Sequence, residues 1–176
     1  HQKGRDTKQK IHRNFGMPRP EGYRKAMRIM RLAEKFGRPI VTFVDTPGYL
    51  PGVDQEHYGV IRHGAKVIYA YCEATVPKIS IVTRKAMGGA YLAMSSKQMR
   101  SDLAFAWPTA QIAVMGADGA VRVLRRRELA AAKDPTALEK RFVEEYREAF
   151  MNPYRAADVG QIDEVIEPRE TRPRLV

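Results

Sequence analysis

The chain has 176 residues and carries a formal net charge of +11 at neutral pH. Hydrophobic content of 44% with 29% charged residues fits one globular domain with a real core, and no apolar run approaches a membrane span. The first thirteen residues are basic without an apolar stretch, which argues against a secretory signal, and Asp6 with no serine argues against a transit peptide.

Residues 1–18 read as a loop. Pro20 suits the first turn of a helix. From Glu21 to Phe36 the residues Tyr23, Ala26, Met27, Ile29, Met30, Ala33 and Phe36 recur at helical spacing, and Gly37 stops them. Pro39 to Val44 reads as a strand. It runs into the turn residues Asp45-Thr46-Pro47-Gly48 and a long loop, where open α/β sheets place ligands. Gly59 to Ala74 reads as a helix holding Cys72, a small core residue rather than a nucleophile. A lone cysteine forms no internal disulfide, so a reducing, cytoplasmic setting is expected.

Ile79–Thr83 is an apolar strand that leads into Lys85-Ala86-Met87-Gly88-Gly89-Ala90-Tyr91, and Leu92-Ala93-Met94 continues as helix. A strand that turns through two glycines into a helix leaves first-turn N–H groups without intrahelical partners. Glycine lets an oxygen approach them closely, and the helix dipole favours negative charge there. The same pair also suits a plain tight turn. Further strands are expected at Leu103–Trp107, Ile112–Met115 and Gln161–Ile166. A basic helix should cover Ala120–Ala132, and a helix capped by Asp134-Pro135 should run to Phe150, stopped by Asn152-Pro153. Residues 167–176 read as a polar tail. Strands alternating with helices imply an α/β fold with right-handed crossovers.

Few side chains suggest chemistry by themselves. Asp54, Glu56 and His57 share a loop, where local hydrogen bonding competes with an acid/base or metal role. His63 reads as a helix surface or packing residue. No metal site is expected, because HExxH and CxxC spacings are absent. Gly116-Ala117-Asp118-Gly119 reads as a second helix start or an ordinary turn. Arg125-Arg126-Arg127 reads as a solvated face, or as a phosphate contact if a phosphate-rich ligand binds. The charge asks for an anionic partner, and an assembly or nucleic-acid-binding module is one reading of it. Nucleic acid is not favoured, because no basic patch with interleaved aromatics appears.

The residues also carry a resemblance. Phe43–Glu56, Arg62-His63-Gly64-Ala65-Lys66, Tyr69–Lys78, Thr83–Ala90, Met94-Ser95-Ser96-Lys97, Ala106–Gly116, Asn152-Pro153-Tyr154 and Glu167–Arg172 resemble the carboxyltransferase subunit of biotin-dependent acyl-CoA carboxylases. Residues 40–176 look like the carboxyl-terminal half of a propionyl-CoA-carboxylase-type β chain. Residues 1–39, through Gln2–Lys8, Arg13–Pro18 and Pro20–Lys25, resemble the α subunit of bacterial acetyl-CoA carboxyltransferase.

The resemblance implies a single domain of the crotonase-like β-β-α superhelix type. It implies transfer of a carboxyl group from carboxybiotin to the α-carbon of a short acyl-CoA, acetyl- or propionyl-CoA. A biotin-dependent decarboxylase is the related alternative. On this reading the amides of Gly89 and Ala90 form an oxyanion hole on the biotin side. Gly88, Tyr91, Leu92, Pro47 and Gly48 would line the biotin or substrate site. Arg125, Arg126 and Arg127 are candidates for the CoA phosphates. Implied partners are a biotin carboxyl carrier protein, biotin carboxylase, an amino-terminal carboxyltransferase domain that completes the site, acyl-CoA and further copies of the chain. Leu92 stands where many propionyl-type members have aspartate, and Met87 where tyrosine is common. An apolar residue at position 92 resembles members with different or broader acyl preference.

Overall fold

The computed structural model describes residues 4–176, so residues 1–3 of the expected opening loop lie outside the described residues. The rest of that segment is not a plain loop. Thr7–His12 forms a short helix, α1, because the Asp6 carboxylate accepts from the Gln9 N–H at 2.8 Å and caps it. Helix α2 spans Pro20–Lys35 and buries Tyr23 and Met30. It ends at Phe36, and Gly37 follows at φ +60, a left-handed conformation that glycine adopts readily. Strand β1 is Ile40–Thr46. The loop after it contains a one-turn helix, α3 (Val53–His57), where the sequence reads only as turns. Helix α4 covers Val60–Glu73 and buries Val60, Gly64, Val67, Ala70 and Tyr71. That face leaves Cys72 exposed. The helical pattern places it in the core, but one residue past Tyr71 the helix has rotated toward solvent.

Strand β2 is Lys78–Met87, longer than the apolar run that signals it. Two neighbours explain the length. Strand β3 (Leu103–Ala106) pairs with residues 79–82, and strand β4 (Gln111–Ala113) pairs with residues 85–87. Between them β2 bulges against β1, where Val44 pairs with Val82 but Thr46 pairs with Ala86. Asp45 bridges the bulge, accepting from Arg84 Nη2 at 3.0 Å and from the Lys85 N–H at 3.3 Å. β2 then passes directly into helix α5 (Gly88–Leu92).

The basic helix expected over 120–132 is two helices, α6 (Ala117–Leu124) and α7 (Arg126–Ala131). They part at Arg125, which ion-pairs with Glu128 at 2.8 Å and lies over the Phe142 ring at 5.1 Å. Helix α8 (Pro135–Phe150) starts as read, with Asp134 accepting from the Ala137 N–H at 3.1 Å. Asn152-Pro153 ends it and also starts helix α9 (Pro153–Asp158), since Asn152 accepts from the Arg155 N–H at 2.9 Å. Strand β5 is Glu164–Val165. The expected polar tail carries helix α10 (Thr171–Leu175), which Trp107 pins by donating from Nε1 to Thr171 Oγ1 at 3.0 Å.

The five strands form one sheet in the order β1-β2-β3-β5, with β4 on the far end of β2, and every pair is parallel. Side chains alternate between its faces. Val44, Val82, Ala86, Ala104 and Ala106 pack on Tyr91, Ile112 and Ala156 on one face. Ile81, Phe105 and Ile166 pack on the other, under Trp107 and Leu175. α2 and α4 share a separate cluster that includes Tyr23, Met30, Val67 and Tyr71. α6 and α8 share another, around Val121, Phe142 and Val143. No helix among the described residues is long and apolar enough to cross a membrane.

Glu34 ties α2 to the chain between α4 and β2. Its carboxylate accepts from Thr75 Oγ1 at 2.6 Å, the Thr75 N–H at 2.8 Å and the Val76 N–H at 3.2 Å. The Thr75 hydroxyl contributes most to holding this carboxyl below its ordinary pKa. The unfolded chain therefore binds the proton more tightly, and stability rises with pH across that interval. The contribution is present at neutral pH and is lost as pH falls through the depressed folded value. Glu34→Gln should flatten the acid limb of a melting-temperature profile taken from about pH 3 to 7. An acid limb identical to that of the parent chain would contradict this role.

Candidate active site at the Gly88–Gly89–Ala90 turn

The central strand delivers this turn. Met87 is extended (φ −112, ψ 127) and occupies the N-cap position of α5 without any side-chain hydrogen bond to the helix. Gly88 then swings to φ +56. A methyl group at Gly88 would stand 2.8 Å from the Val114 carbonyl oxygen, so glycine is required both by conformation and by space. The N–H groups of Gly89 and Ala90 lie in the first turn of α5, before any intrahelical acceptor is available. Among the described residues neither donates to another backbone or side-chain group. Two unpaired N–H groups side by side suit an oxygen that acquires negative charge.

Two hollows flank the turn. One, of about 450 Å³, is lined by Gly88, Gly89, Tyr91 and Leu92, with Ile112, Val114, Phe150 and Ala156 among its walls. The other, of about 460 Å³, reaches Ala90 and Ala93 from the side of α2 and contains Tyr23, Phe43 and Asp45. Leu92 is 37% exposed in the first hollow. Tyr91 is 4% exposed, and its hydroxyl is buried without a hydrogen-bond partner. Burial pushes the Tyr91 phenol up to about 12, which keeps it neutral at physiological pH.

The other residues singled out in the sequence are scattered. Pro47 and Gly48 follow β1, where Thr46 Oγ1 accepts from the Gly48 N–H at 3.4 Å and Gly48 has φ +148. They line neither hollow; the next residue, Tyr49, makes the approach. Its Cε2 is 3.7 Å from the point a methyl on Gly89 would occupy. Arg125 belongs to Glu128 and Phe142, in a cavity that meets the first hollow through Tyr146 and Phe150. Arg126 and Arg127 are exposed on α7. Asp54, Glu56 and His57 are exposed on α3. His63 on α4 lies 3.3 Å from Arg24 Nη1 through Nε2, and burial, reinforced by Arg24, Lys66 and Arg62, lowers its pKa. Gly116 is indeed a helix start, at the N-cap of α6. Sequence reading missed the roles of Val114, Gly64 and Tyr49, since spatial proximity alone connects them to the turn.

The sequence profile of the carboxyl transferase domain family matches residues 9–176. The chain belongs to this family. As a carboxyl transferase domain it is 56% identical over 163 residues to the propionyl-CoA carboxylase carboxyltransferase subunit of Haloferax mediterranei, covering 93% of this chain and 32% of that one. It is 53% identical to the methylmalonyl-CoA decarboxylase subunit alpha of Propionigenium modestum, covering 86% of this chain and 29% of the relative. The chain thus spans about a third of the length of these relatives. Among solved structures it superposes on transcarboxylase 12S, a hexamer assembly with methylmalonyl-coenzyme A and methylmalonic acid bound. The TM-score is 0.87 at 51% identity, covering 91% of this chain and 31% of that one. It also resembles the beta subunit of Pseudomonas aeruginosa geranyl-CoA carboxylase, with TM-score 0.78 at 29% identity, covering 90% of this chain and 31% of that one. The parallel α/β fold of this carboxyl transferase domain is of the crotonase type.

Proposed function

We propose that this chain supplies the carboxybiotin side of an acyl-CoA carboxyltransferase, with Gly89 and Ala90 as its catalytic groups. The observation that carries the reading is the pair of unpaired amides on a turn that only glycine can make. The neighbouring residues fit a small bicyclic ligand. The first hollow reaches Gly88 and Gly89 and has largely apolar walls, with Gln98, Arg155 and Gln161 as its polar members.

Carboxybiotin, carried by a partner protein, supplies the carboxyl group. In that transfer the bond between the ureido nitrogen and the carboxyl carbon would break, and one would form between that carbon and the acyl α-carbon, whose proton would go to the ureido nitrogen. The Gly89 and Ala90 N–H groups would hold the ureido oxygen as it gains negative charge. Gly88 keeps them placed, and Tyr91 and Leu92 wall the hollow. Arg126 and Arg127 stay free for CoA phosphates, whereas Arg125 is already paired.

Carrier protein, biotin carboxylase, an amino-terminal carboxyltransferase domain and further copies of the chain are the partners this reading requires, in the cytoplasm. The decarboxylase relative at 53% identity supports the reverse sense of transfer on the same groups. The test is carboxybiotin-dependent formation of malonyl- or methylmalonyl-CoA, with and without an added amino-terminal carboxyltransferase domain, on acetyl-, propionyl- and butyryl-CoA in parallel. The expected result is transfer only with the added domain, extending to the larger acyl groups because Leu92 is apolar. No transfer by a folded, partner-bound chain would overturn the proposal.

A further inference from the structure

We propose that Tyr49 is a positioning residue: its ring is wedged between helix α4 and the amide-bearing turn, and it walls the face of Gly89. Three neighbours surround the ring. The first is Gly64 on α4. A methyl at Gly64 would stand 2.4 Å from the Tyr49 hydroxyl oxygen, 2.5 Å from Cε1 and 2.8 Å from Cζ, so the ring rests directly on the helix backbone. Only a residue without a side chain leaves that seat open. The second is Tyr23 on α2, at 5.7 Å between centroids and 41° between planes, a tilted aromatic pair. The third is the turn, which the ring approaches without touching. The opposite ring edge, Cε2, lies 3.7 Å from the position a methyl on Gly89 would take, and apart from the chain neighbours and the helix's own backbone no other heavy atom comes within 4 Å of that position.

One edge of the ring is therefore seated on α4, and the other faces the turn across the space a Gly89 side chain would take. α2 and α4 share one core, so Tyr49 couples that helix pair to the start of α5. Tyr49 is half-buried, and burial raises its pKa, so the phenol stays neutral. Gly64 acts at one remove, through the ring.

This inference rests on the amide reading above, and its test separates the two. Tyr49→Leu, Tyr49→Phe and Gly64→Ala would be made in the protein combined with an added amino-terminal carboxyltransferase domain. Tyr49→Leu should lower kcat for carboxyl transfer by about 10- to 100-fold at unchanged KM for acyl-CoA, the scale expected when reacting groups are misplaced by about an ångström. Tyr49→Phe, which keeps both ring edges, should restore most of the rate. Gly64→Ala should reproduce the loss, since the ring must leave its seat. Should that variant fail to fold, the double variant Gly64→Ala/Tyr49→Leu relieves the clash and should fold. Amide hydrogen exchange over residues 88–92 should accelerate in Tyr49→Leu without a change in the exchange of β3. Unchanged kcat and unchanged exchange in Tyr49→Leu would overturn the proposal. An inactive parent assembly would sink the amide reading instead, with the exchange measurement still deciding the place of Tyr49.

Discussion

Gly88→Ala should lower carboxyl transfer by at least about 100-fold, the scale seen when a single oxyanion donor is lost. Two independent facts set this expectation. Gly88 sits at φ +56, where a side chain is strained by about 1–2 kcal/mol. Its new methyl would also meet the Val114 oxygen at 2.8 Å, and that oxygen is backbone, one residue past β4, rather than the end of a flexible side chain. The turn must shift, and the N–H groups of Gly89 and Ala90 shift with it. Because β2 is held on both sides by β1, β3 and β4, the distortion should stay local. The check is kcat in the reconstituted assay beside a thermal melt. A large rate loss with a modest melting shift is expected. Full activity would mean that the placement of these amides does not matter.

Lys78→Met should destabilise the fold strongly while leaving the chemistry of the turn intact. Lys78 is 8% exposed, and its ammonium group donates to the carbonyls of Tyr71 at 3.1 Å and Ala74 at 2.8 Å. Those carbonyls end α4, where the helix dipole is negative and no further amide reaches them. Methionine keeps the apolar stem but leaves both acceptors unpaired, at about 1–3 kcal/mol for each buried group. The melting temperature should fall by about 4–24 °C, given about 2–4 °C per kcal/mol for a chain of this size. A melt within a degree of the parent would show that water satisfies the carbonyls instead.

These two residues differ in how far the sequence reveals them. Gly88-Gly89 is legible because a strand signal runs into glycines, and the structure places a helix start there. Asp134-Pro135 and Gly37 are legible for the same reason, since caps and stops are local chemistry. The end of β2 is not legible. Arg84 and Lys85 interrupt the apolar run, and the strand continues only because β4 pairs with residues 85–87. The break between α6 and α7 falls at Arg125, whose ring contact with Phe142 on α8 is tertiary. α1 and α10 lack apolar periodicity and are set by a cap and by the Trp107–Thr171 bond. Lys78 looks like any charged residue flanking a strand until α4 is folded above it. The contact of Tyr49 with Gly64 is tertiary throughout, and no spacing rule finds it.

The most direct test of the account reads the two amides themselves. In isotope-labelled chain combined with an added amino-terminal carboxyltransferase domain, the Gly89 and Ala90 amide resonances would be followed by NMR while biotin is added. Saturable downfield shifts of these two protons, larger than those of the other amides of α5, are the predicted result. Saturable binding that leaves both resonances in place would contradict the account, because the ureido oxygen would then be held elsewhere.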